Sequence, residues 1–246
     1  MIKFFRKIRK RLLSENRFTK YLVYAIGEIV LVVIGILIAL QINTNNDLKK
    51  RNKLKQIYSK SLIANLKQDS ITVTRFLKTT EKDFNQFLNH FKLVNNSTIT
   101  YDSLVHIARF EFEQTTSVFP ISFNNQTFKT LVASGDIELF NKEISYDLMQ
   151  LNSAQEQFNL SVNAHNNNYI RQISKYGEFY PMQMAIPKTE SPVQKLMWNN
   201  INKREFSSLF MSVVALKTVL EISGRRNSTE ILKRTTLLLK KLKKND

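Results

Sequence analysis

The sequence predicts an all-α protein, an N-terminal transmembrane helix followed by an antiparallel helical bundle with long helices. Three observations predict it. An apolar run extends from Tyr21 to Ile42 with Glu28 as its only formal charge. The 246 residues include only 5 Gly and 4 Pro, so tight turns are few. Apolar residues elsewhere recur at spacings of three and four, and no stretch alternates with period two.

Composition narrows the function classes. About 200 residues follow the apolar run, enough for a real core. There is no Cys, which excludes disulfides, thiolate catalysis and Cys-ligated zinc. The formal net charge of +17 favours anionic partners, lipid headgroups or nucleic acid.

The first segment, 1–20, sets Lys3, Arg6, Lys7, Arg9, Lys10, Arg11, Arg17 and Lys20 against Glu15 alone. Met1, Phe5, Ile8 and Leu12 fall at helical spacing. The segment reads as a basic amphipathic helix on the cytoplasmic leaflet, with Lys3, Arg6, Lys7, Arg9, Lys10 and Arg11 on lipid headgroups. The plainer reading is a charge signal for topology. Residues 21–42 as a helix span about 33 Å, against about 30 Å of hydrocarbon. No small-x-small cleavage site follows at Ala39-Leu40-Gln41-Ile42, so the expectation is an uncleaved anchor. Lys49, Lys50, Arg51, Lys53 and Lys55 follow the span, fewer than the cations before it. The bias predicts a cytoplasmic N-terminus and an extracytoplasmic domain over 47–246.

Glu28 is the chemical anomaly of the span. An ionisable residue in lipid is a functional hypothesis, and in hydrocarbon a neutral carboxyl donates a hydrogen bond. Tyr24 lies one turn away and can accept it. Gly27, Gly35 and Ala39 lie on or near the same side, a small-residue surface that lets helices approach. The expectation is a helix contact through Tyr24, Gly27, Glu28, Gly35 and Ala39, with a copy or a partner. The alternative is an acid satisfied within its own helix.

The remaining elements follow from spacing. Leu54, Tyr58, Leu62, Leu66, Val73, Phe76, Thr80, Phe84, Phe87 and Phe91 predict a long helix, with a break expected near Lys67–Thr72. Asn95–Thr100 is a turn, Tyr101 to about Gln114 a shorter helix, and Thr115–Asn125 a Pro-containing loop. A short helix ends at Gly135, a natural C-terminal cap. Ile144, Leu148, Leu151, Gln155, Phe158, Val162, His165 and Tyr169 form a heptad seam. Tyr176–Pro192 holds three of the prolines and reads as a loop. A last helical stretch starts near Asn202, is interrupted at Gly224, and restarts at an apparent capping box, Asn227–Glu230.

Catalytic motifs are missing. No HExxH, GxSxG, P-loop or GxGxxG occurs. Asp102 and His106 share a helix face, but zinc needs at least three protein ligands. His165 has no identifiable triad partners. Glu111 and Glu113 point about 200° apart on a helix, a poor acid–base pair. The expectation is no enzyme, no metal and no cofactor.

Two features invite partners. The loop residues Phe179, Tyr180, Met182, Met184 and Ile186 form a partner site if exposed and a lid if buried. Lys240, Lys241, Lys243 and Lys244 meet lipid headgroups if the C-terminal end returns to the bilayer. Otherwise they are a solvated face favoured by the helix dipole.

The stretch FFRKIRKRLLSENRFTKYLVYAIGEIVLVVIGILIALQIN, Phe4–Asn43, resembles the signature of a family of uncharacterised bacterial single-span inner-membrane proteins. NQTFKTLVASGDIELFNKEISYDLMQLN, Asn125–Asn152, is similar to that family's unit of short helix, Ser-Gly turn and long helix. The resemblance implies an inner-membrane protein with a helical periplasmic domain and supplies no activity or site. The expected function is a membrane-anchored interaction or scaffold protein of the cell envelope. Its expected partners are the lipid bilayer and a protein or second copy, without nucleic acid. The alternative is an extracytoplasmic ligand-sensing bundle that signals through a partner.

Overall fold

The computed structural model describes residues 18–113, 120–182 and 190–244, with side chains from Leu22 onward. Among the described residues every regular element is helical. The chain divides into two compact units, Met1–Ile57 and Tyr58–Asp246.

Helix α1 covers Phe18–Thr79, and its residues up to Ile57 are the described part of the first unit. Its apolar window has a mean hydropathy of 2.7 and is 0% buried. Length and composition suffice to cross a membrane. The basic segment with Lys3, Arg6, Lys7, Arg9, Lys10 and Arg11 lies outside the described residues.

The second unit contains the end of α1, then α2 (Glu81–Val94), α3 (Tyr101–Phe110) and α4 (Gln126–Ser134). A 3₁₀ turn (Asp136–Leu139), α5 (Lys142–Gly177), α6 (Pro192–Asn199) and α7 (Lys203–Lys244) complete it. The long pair α5 and α7, about 54 and 63 Å at 1.5 Å per residue, are antiparallel. The first half of α5 shares a core with the end of α7, and the last half of α5 with the start of α7. The first core is aliphatic: Leu62, Leu66, Val73, Leu131, Ile144, Leu148, Leu151, Leu220, Ile231, Leu238 and Leu242 surround Phe158. The second is aromatic. Phe206 stacks on Phe210 at 5.6 Å and meets Tyr180 and Trp198 edge-on. Burial of each such side chain stabilises by about 1.5–3 kcal/mol, so these two clusters dominate the fold.

Several boundaries depart from the sequence expectations. The first long helix does not break near Lys67–Thr72 but at Thr79–Thr80. There the Thr79 and Thr80 hydroxyls donate to the Arg75 and Phe76 carbonyls at 3.0 and 2.9 Å, a competition that bends helices. Asp69, by contrast, turns its carboxylate inward and leaves the ladder intact. Gly224 does not interrupt α7, and Asn227–Glu230 is not a helix start. Gly224 and Ser228 are buried, and their small size suits a helix face pressed against its neighbours. In α5 the seam runs Val162, Asn166, Tyr169, so Asn166 replaces the expected His165, which is only half-buried. The alternation of four and three slips once at Phe158–Val162–Asn166, an insertion that locally unwinds a coiled seam. Helix α6 forms between the expected loop, which ends at Pro192, and the expected start of the last helix near Asn202. Ser191 accepts from the Gln194 N–H, Gln194 reaches back to the Ser191 N–H, and Pro192 opens the first turn.

Gly135 ends α4 in the left-handed region, with φ +77. A Cβ there would meet nothing within 4 Å, so substitution costs only backbone strain. Gly135→Ala is expected to lower stability by about 1–2 kcal/mol, read as a shifted midpoint in urea unfolding with an unchanged slope.

Candidate functional site

Two buried polar clusters stand out among the described residues of the second unit. The first lies between the two cores, where the α5 seam slips. Lys217 and Glu221, one turn apart on α7, pair at 3.0 Å with side chains 1% and 7% exposed. The Lys217 ammonium sits 5.0 Å from the Phe87 ring and 5.2 Å from the Tyr169 ring. Burial, and then the nearby Glu221 carboxylate, push the Tyr169 phenol up and hold it neutral. Thr218 and Asn166 complete the buried layer. Two aromatic faces and a carboxylate form a cation cage that the chain fills with its own lysine.

The second cluster is built on Asp69, 2% exposed. Its Oδ1 accepts from the Asn124 backbone N–H at 2.8 Å and the Asn124 amide at 2.7 Å. Its Oδ2 accepts from Gln155 at 3.1 Å. Asn159 closes the same loop, donating to the Ile121 carbonyl and accepting from the Ile121 N–H. The segment entering α4 is thereby clamped to α1 and α5. A chamber of about 20 Å³ beside Asp69 has room for one water and no metabolite.

An open groove of about 530 Å³ lies between α2 and α3, lined by Asp102, Ser103, His106 and Glu111. The Glu111 carboxylate lies 3.4 Å from His106 Nε2 and 4.0 Å from His90 Nε2. Asp102 and His106 therefore share a surface groove, as expected, and Glu111 joins them. A metal-bound imidazole donates its second N–H to a partner, and the buried His90 Nδ1 has none among the described residues. Among the described residues no group of three or more His, Asp or Glu is placed to hold a metal ion. Burial lowers the His90 pKa, against the raising effect of Glu111.

The remaining sequence candidates fall as follows. Tyr180 is 3% exposed and packs on Phe206, so it belongs to the core rather than to a partner surface. Phe179 and Met182 are 52% and 46% exposed. Met184 and Ile186 lie outside the described residues. Just beyond that stretch Glu190 forms a bidentate pair with Arg109, whose guanidinium lies 5.5 Å from the Trp198 ring. Lys241 is not a free headgroup ligand, because its ammonium bonds Asp147 at 2.5 Å and Glu143 at 2.6 Å. Those bonds, Asp147 first, raise its pKa. Lys240, Lys243 and Lys244 are exposed. In the span, Tyr24 and Glu28 are half-buried and neither lacks a partner. Gly27, Gly35 and Ala39 are exposed, and a Cβ on either glycine would meet nothing within 4 Å.

Asp69, Lys217, Glu221 and Arg109 escaped notice in the sequence. For three of them a signal existed. Asp69 continues the seam Leu62, Leu66, Val73, and Lys217 and Glu221 continue Val213, Val214, Leu220. A charge at a seam position marks a buried polar contact. Nothing in the spacing pairs Arg109 with Glu190.

Lys217→Met alone strands Glu221 without its partner and is expected to cost about 3–5 kcal/mol. The double change Lys217→Met with Glu221→Leu is expected to recover most of that loss, measured by chemical denaturation. For His90, the folded state resists a proton that the unfolded chain accepts near its ordinary value of 6.5. The stabilising difference is complete above 6.5 and is lost as pH falls toward the lowered folded value. Stability of the wild type is expected to decline as pH falls below about 6.5, and His90→Gln to flatten that decline.

No curated protein and no solved structure shows significant similarity to the chain. One family does match, over residues 28–181, more than half of the chain. The match takes in Glu28, Asp69, Asn124 and Gln155 and the whole of Asn125–Asn152, but stops before Lys217. The chain belongs to DUF6090, a family of unknown function.

Proposed function

We propose that the chain is a membrane-anchored, non-enzymatic interaction protein of the bacterial cell envelope. One observation carries this reading. The apolar window of α1 has a mean hydropathy of 2.7 and none of it is covered by the chain itself. An exposed apolar surface of that extent requires lipid or a partner. Helix α7 also passes by length and composition, but 56% of its window is buried, as in the core helix of a soluble bundle. The flanking charges favour a cytoplasmic N-terminus and a periplasmic domain over 47–246, and residence in the inner membrane is part of the same proposal. The interior supports an interaction role: between α1, α4 and α5 it leaves about 20 Å³. The alternative, a ligand-sensing bundle signalling through a partner, draws on the open groove of about 530 Å³ beside His106 and Glu111.

The span is the proposed contact with a second copy or a partner helix. Gly27, Gly35 and Ala39 supply a small surface, and neither glycine is needed for packing within the chain. Glu28 already has a partner in its own chain, so the proposed contact rests on the small residues rather than on the acid. Gly35→Leu is expected to reduce the size of the complex purified in detergent while leaving helix content unchanged. An unaltered complex for both Gly27→Leu and Gly35→Leu would remove the span as an interface. A reporter fused after Asp246 that is active only in the cytoplasm would reverse the proposed orientation.

A further inference from the structure

The last turns of α7 carry a surface that neither the core nor the helix dipole explains. Gly224, Ser228, Ile231, Thr235, Leu238 and Leu242 point into the bundle. Arg226, Lys233, Lys240 and Lys244 therefore project on the opposite side, all exposed, with Lys243 at the edge of the same face. The row runs about 27 Å, from Arg226 to Lys244. One acid shares the face, Glu230, and Arg234 neutralises it at 2.8 Å. The acids of α5 nearest this end, Glu143 and Asp147, are taken by Lys241. Among the described residues none of the five cations has an acid within ion-pair distance.

A solvated helix end is the plain alternative, and the dipole favours cations there. That effect fades within the last turn, whereas Arg226 and Lys233 stand five and three turns before it. Like charges four apart on a helix destabilise it, as for Lys240 and Lys244. At the centre of the row stands Leu237, 49% exposed, flanked by the exposed Thr236 and the basic side chains. An apolar residue within a basic face matches a surface that offers anionic headgroups above and acyl chain below. A nucleic-acid backbone offers only the charge.

We propose that this face of α7 docks on an anionic lipid surface through Arg226, Lys233, Lys240, Lys243 and Lys244, with Leu237 entering the headgroup layer. The proposal deepens the membrane-anchored reading and names the lipid class. It also replaces Lys241 by Arg226 and Lys233 among the sequence candidates.

The chain has no native Cys, so Leu237→Cys accepts a single environment-sensitive fluorophore. The full chain is reconstituted in phosphatidylcholine nanodiscs and titrated with phosphatidylglycerol vesicles. The expected result is a blue shift that high salt reverses. Near an anionic surface each basic residue contributes about 1 kcal/mol, or roughly fivefold in affinity. Replacing Arg226, Lys233 and Lys240 by Gln together is therefore expected to raise the half-saturating lipid roughly 100-fold. Lys241→Gln is expected to leave it unchanged. Circular dichroism checks that each variant is folded. No blue shift, an equal shift with phosphatidylcholine vesicles, or tighter binding to duplex DNA than to phosphatidylglycerol would overturn the proposal. Failure of the anchor reads separately, as a chain that does not co-elute with the nanodisc.

Discussion

The second unit depends on the antiparallel contact between α5 and α7. No other pair in the unit shares so long a seam, and both hydrophobic cores are assembled along it. One end of the pair gathers aliphatic side chains from α1 and α4, and the other gathers rings from α2, α3 and α6. A short helix such as α3 or α6 is marginal alone in water. Each persists here because α7 offers it an apolar face.

The two cores are separated rather than continuous, and the separation has a sequence-level cause. The α5 seam inserts one extra step of four at Val162–Asn166, and the facing turns of α7 present Lys217, Thr218 and Glu221. A buried ion pair of this kind is weak evidence for stability, since desolvation offsets its Coulomb gain. What ties the pair to one register is its cage: a shift of α7 by one turn would carry Lys217 and Glu221 together away from the Phe87 and Tyr169 rings. Asp69 acts in a similar way at the other polar site. Its three hydrogen bonds set where the loop before α4 crosses α1 and α5.

The apolar part of α1 follows a different pattern. Leu22 to Leu40 presents apolar side chains on all sides, with no polar stripe that water would require. In the second unit the basic residues divide by geometry. Lys217 is sealed among rings and Lys241 is neutralised by α5. Arg226, Lys233, Lys240, Lys243 and Lys244 face outward, with no acid within ion-pair distance among the described residues.

The helical class, the long apolar helix at the start, the turn at Asn95–Thr100, the Gly135 cap and most of the α5 seam were legible in the sequence. Each rests on local chemistry: hydropathy, period, or the left-handed region that glycine tolerates. The capping box of α6 was equally legible, and the prolines nearby concealed it. Tertiary structure alone decided the rest. Gly224 reads as a break by propensity, yet burial against neighbouring helices holds α7 continuous through it. His165 and Asn166 are both compatible with a seam, and only the packed neighbours select between them. Lys241 and Lys240 are alike as residues in a basic run. One residue step, about 100° around the helix, sets the first against Asp147 and the second toward solvent, because direction around a helix acquires meaning only when a partner fixes which side is inside.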